Sequence, residues 1–154
     1  MLAKDLIQLR VMTIEDYDQI YTLWTGIKGF GIRSIDDSRE GIDRFLKRNP
    51  TTSVVATIEG KVVGAILCGH DGRRGCFYHV CVQKEFRMHG IGQMMEKFCR
   101  EALQKEGVNK VNLIAFRDNP VGNAFWSKLG WIHREDLNYY DYPLNHDNVT
   151  NFVK

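Results

Sequence analysis

The chain has 154 residues, 44% of them hydrophobic and 26% charged, and a formal net charge of +2. This size fits a single domain, 1–154, with a core of its own, and the small charge excludes a general binder of nucleic acid or membrane surfaces. No apolar run approaches the ~20 residues of a membrane span, and the start Met1-Leu2-Ala3-Lys4-Asp5 brings in charge before an apolar block can form, unlike a secretion signal; the expectation is a cytoplasmic protein.

Residues 6–12 alternate as a first strand. Thr13, with Asp16 three residues on, reads as a shortened capping box opening a helix. Ile14, Tyr17, Ile20, Tyr21 and Trp24 line one face of that helix, and Gly26, Gly29 and Gly31 break it. A second helix is expected over 36–47, with Ile42, Phe45 and Leu46 inward, ended by Asn49-Pro50. Residues 53–58 and 61–68 read as β-branched strands joined by a tight hairpin at Glu59-Gly60. Asp71-Gly72 turns the chain into a strand over 76–82.

Next comes Arg87-Met88-His89-Gly90-Ile91-Gly92, a basic, glycine-spaced turn. Behind it, Ile91, Met94, Met95, Phe98, Cys99, Ala102 and Leu103 step by three and one along a single helix face. Gly107 is the expected left-handed cap. A strand follows over 111–116. Asn119-Pro120 opens a short helix, with Asn119 at the cap and Pro120 in the first turn. Val121, Ala124 and Phe125 face inward, and Gly130 closes the helix. A last strand, or pair of strands, is expected within 131–144. The order β-α-α-β-β-β-α-β-α-β predicts an α/β fold. Its centre is a mixed, mostly antiparallel sheet of six to seven strands flanked by about four helices, on both faces.

Cys68, Cys76, Cys81 and Cys99 form no Cys-x-x-Cys pair and read as buried, reduced thiols. No cluster has metal-ligand spacing, so no metal is expected. Asn148-Val149-Thr150 matches a glycosylation sequon, which carries little weight without a secretion signal.

The strand–turn–helix at 76–103 is the informative stretch. A glycine turn at a helix start leaves backbone N–H groups unpaired at the positive end of the helix dipole, which is a site for phosphate. It is not the dinucleotide fingerprint Gly-x-Gly-x-x-Gly nor a P-loop. What stands here is Arg-x-x-Gly-x-Gly, followed about thirty residues later by Asn119, Gly122, Phe125, Trp126, Gly130 and Trp131 in the spacing Asn-x-x-Gly-x-x-Phe-Trp-x-x-x-Gly-Trp. Together these resemble the GNAT superfamily of acetyl-coenzyme A dependent N-acetyltransferases, in element order over essentially the whole chain and most sharply over 76–131. The stretch 69–75 is similar to a bacterial subgroup of that family.

The resemblance implies a GNAT-like fold and an acyltransferase enzyme. Acetyl would pass from acetyl-coenzyme A to a primary amine by direct attack in a ternary complex. The acceptor would be a small-molecule or peptide amine, and a homodimer is open. The amides of Met88, His89, Gly90, Ile91, Gly92 and Gln93 would hold the pyrophosphate, with Arg87 adding charge. The pantetheine arm would pair with the edge of Val80, Cys81 and Val82, splayed by a bulge, and the Val82 N–H would serve as the oxyanion donor. Asn119, Phe125 and Trp126 complete the cofactor set.

The usual catalytic groups are replaced. Trp126 stands where the family has a tyrosine acid, and an indole N–H is not a usable acid. Ile114 stands at one usual glutamate base position. Tyr78 is the candidate proton relay; strand alternation puts 76, 78, 80 and 82 on one face before any bulge, with His79 on the other and read as packed. Cys81 is weighed as an acyl-carrying nucleophile and set below direct transfer. Trp24, Tyr21, the loop 26–31, Tyr139, Tyr140 and Asp141 are expected near the acceptor groove. The missing groups motivate a rival reading, a non-catalytic coenzyme A sensor or interaction module; a nucleotide-binding module is a third.

Overall fold

The computed structural model describes residues 4–154; Met1–Ala3, part of the start read above, lie outside the described residues. In chain order the elements are β1 (Ile7–Val11), α1 (Tyr17–Thr25), β2 (Gly31–Arg33), α2 (Arg39–Arg48), β3 (Val54–Ile58), β4 (Lys61–His70), β5 (Gly75–Val82), α3 (Ile91–Lys105), β6 (Val111–Leu113), α4 (Pro120–Lys128) and β7 (Thr150–Phe152). Five strands make a central sheet ordered β1-β3-β4-β5-β6, and β2 pairs with β7 apart from it. All neighbours are antiparallel except β5 and β6. No helix among the described residues is long and apolar enough to cross a membrane.

Both faces of the central sheet are covered, so its inner strands are apolar on both sides. Val54 and Ala56 of β3 and Ile66 and Cys68 of β4 meet Ile91, Met95, Cys99 and Leu103 of α3. Val55, Ala65 and Leu67 point the other way, onto Ile20, Leu23 and Trp24 of α1 and Ile42 and Leu46 of α2. Each Val, Leu, Ile or Met among them withdrawn from water stabilises by about 1.5–3 kcal/mol before ordering entropy is counted.

Local chemistry sets most element ends. Asp16 accepts the Thr13 N–H at 2.9 Å and also takes Arg10 in two hydrogen bonds of 2.8 and 2.7 Å. Glu59 (φ 51°) and Gly60 (φ 78°) are both left-handed, as a two-residue hairpin requires. Ser38 caps α2 by accepting from the Gly41 N–H at 3.1 Å, so that helix starts at Arg39, three residues later than expected.

Three further expectations change. β2 was not anticipated, because its three residues are held only by the distant β7. The strand after α3 stops at Leu113 instead of running to 116, since its pairing with β5 ends at Phe77↔Leu113. The segment 131–144 holds no strand. The Arg134 guanidinium grips Asp136 two residues on, and Pro143 lacks a donor, so the aromatic run between them finds no ladder. Tyr139, Tyr140, Asp141 and Tyr142 lie exposed outside any strand.

Candidate active site

The site begins at a bulge in β5. Cys81 faces Ala65 and Tyr78 faces Leu67, so Tyr78 to Cys81 spans one residue more than the β4 partner does. His79 absorbs the misfit at φ 49°, a backbone region uncommon for a residue with a Cβ. The bulge also resets which way side chains point. Phe77 packs toward α3, Cys81 toward α1 and α2, and Val80 and Val82 toward α3 again. Tyr78 meets Phe45 edge-on, with ring centroids 6.0 Å apart, and His79 meets Trp24 and Phe30, each at 4.8 Å. Simple alternation therefore fails at His79, which shares the α1/α2 side with Tyr78 instead of opposing it.

Beyond the bulge β5 and β6 part. The Gln83 N–H bonds back to the Val63 carbonyl of β4 at 2.7 Å. Hydrogen-bonding positions alternate along an antiparallel strand, so the N–H groups of Val82 and Val80 point away from β4, into the gap where β6 has ended. Arg87 Nε donates to the Val82 carbonyl at 3.0 Å and ties the turn to the strand end.

That turn leads into α3. Met88 is left-handed (φ 67°) and fully exposed, and Gly90 is left-handed (φ 82°) at the N-cap, with no side-chain cap and no acidic residue in the first turn. The first intrahelical bond runs from the Met94 N–H to the Gly90 carbonyl at 3.0 Å, so the amides of Ile91, Gly92 and Gln93 lie ahead of the ladder. His89 turns inward, its Nδ1 3.2 Å from the Phe86 carbonyl. The two glycines differ. A Cβ on Gly90 would meet open space; one on Gly92 would stand 3.1 Å from the Phe125 ring. Gly92 thus lets α4 approach α3.

On α4, Asn119 Oδ1 accepts the Gly122 N–H at 3.1 Å, as the cap reading expected. Trp126 packs on Phe77 at 6.2 Å and edge-on to Trp131 at 5.1 Å. Ile114 is exposed. Burial pushes the Tyr78 hydroxyl up to about 12, reinforced by its bond with Cys76. Burial likewise pushes the Cys81 thiol up to about 12. A thiol so held supplies almost no nucleophilic thiolate at neutral pH.

A feature that sequence reading missed lies beside the bulge. His79 Nε2 sits 2.8 Å from Asp37 Oδ2, and that same oxygen accepts the Arg33 N–H at 2.7 Å. The Asp37 carbonyl accepts from the Tyr17 hydroxyl at 2.7 Å. Asp37 borders an open pocket of about 300 Å³ lined also by Tyr17, Tyr21, Ile32, Ser34 and Arg39. A neighbouring pocket of about 350 Å³ adds Asn151, Phe152 and Val153 from the chain end. Of the aromatics expected near an acceptor groove, Tyr21 lines both pockets, whereas Trp24 is fully buried.

Residues 15–131 match the model of the Acetyltransferase (GNAT) family. The chain is 31% identical over 130 residues to an acetyltransferase of Sodalis glossinidius (strain morsitans), covering 84% of this chain and 90% of that one. Its fold is similar to that of Ard1 from Thermoplasma volcanium, with a TM-score of 0.72 at 19% identity, covering 82% of this chain and 83% of that chain. It is also similar to the PaiA N-acetyltransferase of Thermoplasma acidophilum in complex with coenzyme A, with a TM-score of 0.68 at 18% identity, covering 80% and 88%.

Proposed function

The chain belongs to the acetyltransferase (GNAT) family, and from that premise we propose that it transfers acetyl from acetyl-coenzyme A to a primary amine by direct attack in a ternary complex. The observation that carries the proposal is one continuous surface: the unpaired edge of β5 running into the uncapped N-terminus of α3. A pyrophosphate suits amides backed by a helix dipole, with Arg87 beside them and no carboxylate in the first turn. An arm carrying amides suits the edge at Val80–Val82, where it replaces a missing strand.

Acetyl-coenzyme A supplies an activated acyl group as a thioester. The protein's part is to bind, to orient and to hold charge. In this reading the Val82 N–H donates to the carbonyl oxygen that gains negative charge during transfer, a role in which one donor is worth about 3 kcal/mol. The coenzyme's thiol resembles that of cysteine, with a pKa near 8.5. It therefore leaves without a strong acid, which fits Trp126 in place of an acidic hydroxyl. The acceptor enters between α1 and the segment 31–39, where Tyr21 offers an aromatic face to a cation and Asp37 borders the pocket. A small-molecule amine and a peptide amine both fit so open a pocket.

The test is thiol release on mixing the protein with acetyl-coenzyme A and a panel of aliphatic amines, beside calorimetry with coenzyme A alone. Turnover with at least one amine is expected. Coenzyme A binding with no turnover for any amine would favour the sensor reading, and no binding would end both.

A further inference from the structure

We propose that His79 is the group that removes the proton from the incoming ammonium, and that Asp37 positions it; the inference rests on the acetyl-transfer reading above and assigns its missing base. Three observations converge on this pair. His79 occupies the bulge itself, three residues before the Val82 N–H, with a left-handed backbone at φ 49°. Its ring is enclosed by Trp24 and Phe30 and its Nε2 is fixed on Asp37. Asp37, almost fully buried, is pinned by the Arg33 N–H on its carboxylate and the Tyr17 hydroxyl on its carbonyl, and it borders the acceptor pocket. The pair therefore joins the strand edge assigned to the donor with the pocket assigned to the acceptor.

The hydrogen bond also decides which nitrogen works. A carboxylate only accepts, so the neutral ring keeps its proton on Nε2 and its lone pair on Nδ1. The charged and titratable neighbours do not compete for the role. Arg33 on β2 and Arg39 on α2 carry guanidinium groups, which donate hydrogen bonds and accept none. Tyr17 on α1 is pushed up first by burial, and Tyr78 and Cys81 on β5 are pushed up to about 12. Tyr21 completes the pocket wall. Among the described residues, Asp37 is the carboxylate bonded to this ring.

The step balances as follows. The acceptor R–NH3+ gives one proton to Nδ1, leaving R–NH2 and an imidazolium held against Asp37. The amine lone pair forms the N–C bond to the acetyl carbon as the C–S bond breaks. The proton shed by the new amide nitrogen goes to the thiolate, giving free coenzyme A, and His79 returns its proton to water.

Asparagine tolerates left-handed φ, so His79→Asn is the variant of choice, with Asp37→Asn beside it. With an aliphatic amine, His79→Asn lowers kcat/KM about 10²–10³-fold at neutral pH. The loss shrinks as pH rises and the free amine makes the base unnecessary, while coenzyme A affinity stays the same. Asp37→Asn lowers kcat/KM less and shifts the pH profile. Nitrogen NMR of the unliganded wild-type protein gives a readout independent of turnover, with the His79 proton on Nε2 and Nδ1 bare. A proton on Nδ1, or a loss equal at every pH, overturns the proposal. Full activity in His79→Asn with an unchanged pH profile overturns it while leaving the acetyl-transfer reading intact. A wild type that binds coenzyme A but acetylates no amine removes the reading it rests on, and the proposal with it.

Discussion

Gly92 and Phe125 lie face to face where α3 meets α4: a methyl group on Gly92 would stand 3.1 Å from Phe125 Cζ, whereas one on Gly90 would touch nothing within 4 Å. The two glycines of one motif therefore do different work, and substitution separates them. Gly92→Ala overpacks the contact and costs about 1–3 kcal/mol, restored in part by Phe125→Leu. Gly90→Ala costs about 1 kcal/mol for its left-handed backbone. Gly90→Glu adds a carboxylate at the helix mouth and weakens coenzyme A binding about tenfold or more with little further loss of fold. Thermal melts and calorimetry on the four variants check the pattern.

The start of α4 holds a second coupled pair. Asn119→Ala removes the cap on the Gly122 N–H and costs about 1 kcal/mol. A Cβ at Gly122 would lie 2.5 Å from Asn119 Nδ2, so Gly122→Ala expels the same cap. The double variant should then lose little more than the worse single one. Urea unfolding measures the non-additivity; strictly additive losses would contradict the geometry.

Acid stability should depend on Asp16. Burial alone would raise its pKa, but the Arg10 guanidinium and the Thr13 N–H outweigh burial and hold it below the usual carboxylate value. A depressed folded-state pKa contributes stability that is complete above the unfolded value near 3.9 and is lost as pH falls through the folded value. Unfolding free energy should drop as pH falls below about 4 in the wild type, and more shallowly in Asp16→Asn. That variant also loses about 1–3 kcal/mol at pH 7, from the weakened buried bonds.

Much of this was legible in the sequence because it is decided within a few residues. Glu59-Gly60, Thr13 with Asp16, and Asn119-Pro120 name their own turns and caps, and the stepping from Ile91 to Leu103 names the buried face of α3. What escaped depends on partners far away in the chain. β2 exists because residues 150–152 pair with it. The Val111 strand is cut short by a bulge in β5 that no glycine announces, since His79 carries the left-handed backbone itself. The same bulge turned His79 toward Asp37, 42 residues earlier, opposite Val80 and Val82 as period-two counting had it but on the same side as Tyr78, which that counting had it oppose. Trp126 was legible as a member of the motif; its packing on Phe77 and Trp131 was not.

Cys81 offers a check on direct transfer. Its thiol is buried and pushed up to about 12, so Cys81→Ala should keep kcat near wild type while losing about 1 kcal/mol of packing. Intact-protein mass spectrometry after mixing with acetyl-coenzyme A should show no acetyl adduct on this residue. A stable adduct, with kcat lost in Cys81→Ala, would point to a covalent route.

The chain end should govern the acceptor and leave the donor alone. Asn148 accepts the N–H groups of Ile35 and Asp36 at 3.0 and 3.1 Å, and β7 sets Phe152 against Gly31 at the pocket rim. Removing residues 150–154 should raise KM for the amine several-fold and leave coenzyme A affinity unchanged; calorimetry and steady-state rates separate the two.

The last shared rung of β5 and β6, Phe77↔Leu113, closes one end of the gap between them, and the mouth of α3 stands at the other. Five residues of open edge, 78–82, separate those ends, each advancing ~3.3 Å. On the acetyl-transfer reading proposed above, that edge sets a length for the donor: an arm too short to span it either seats its phosphates at the helix or reaches the bulge, and does not do both.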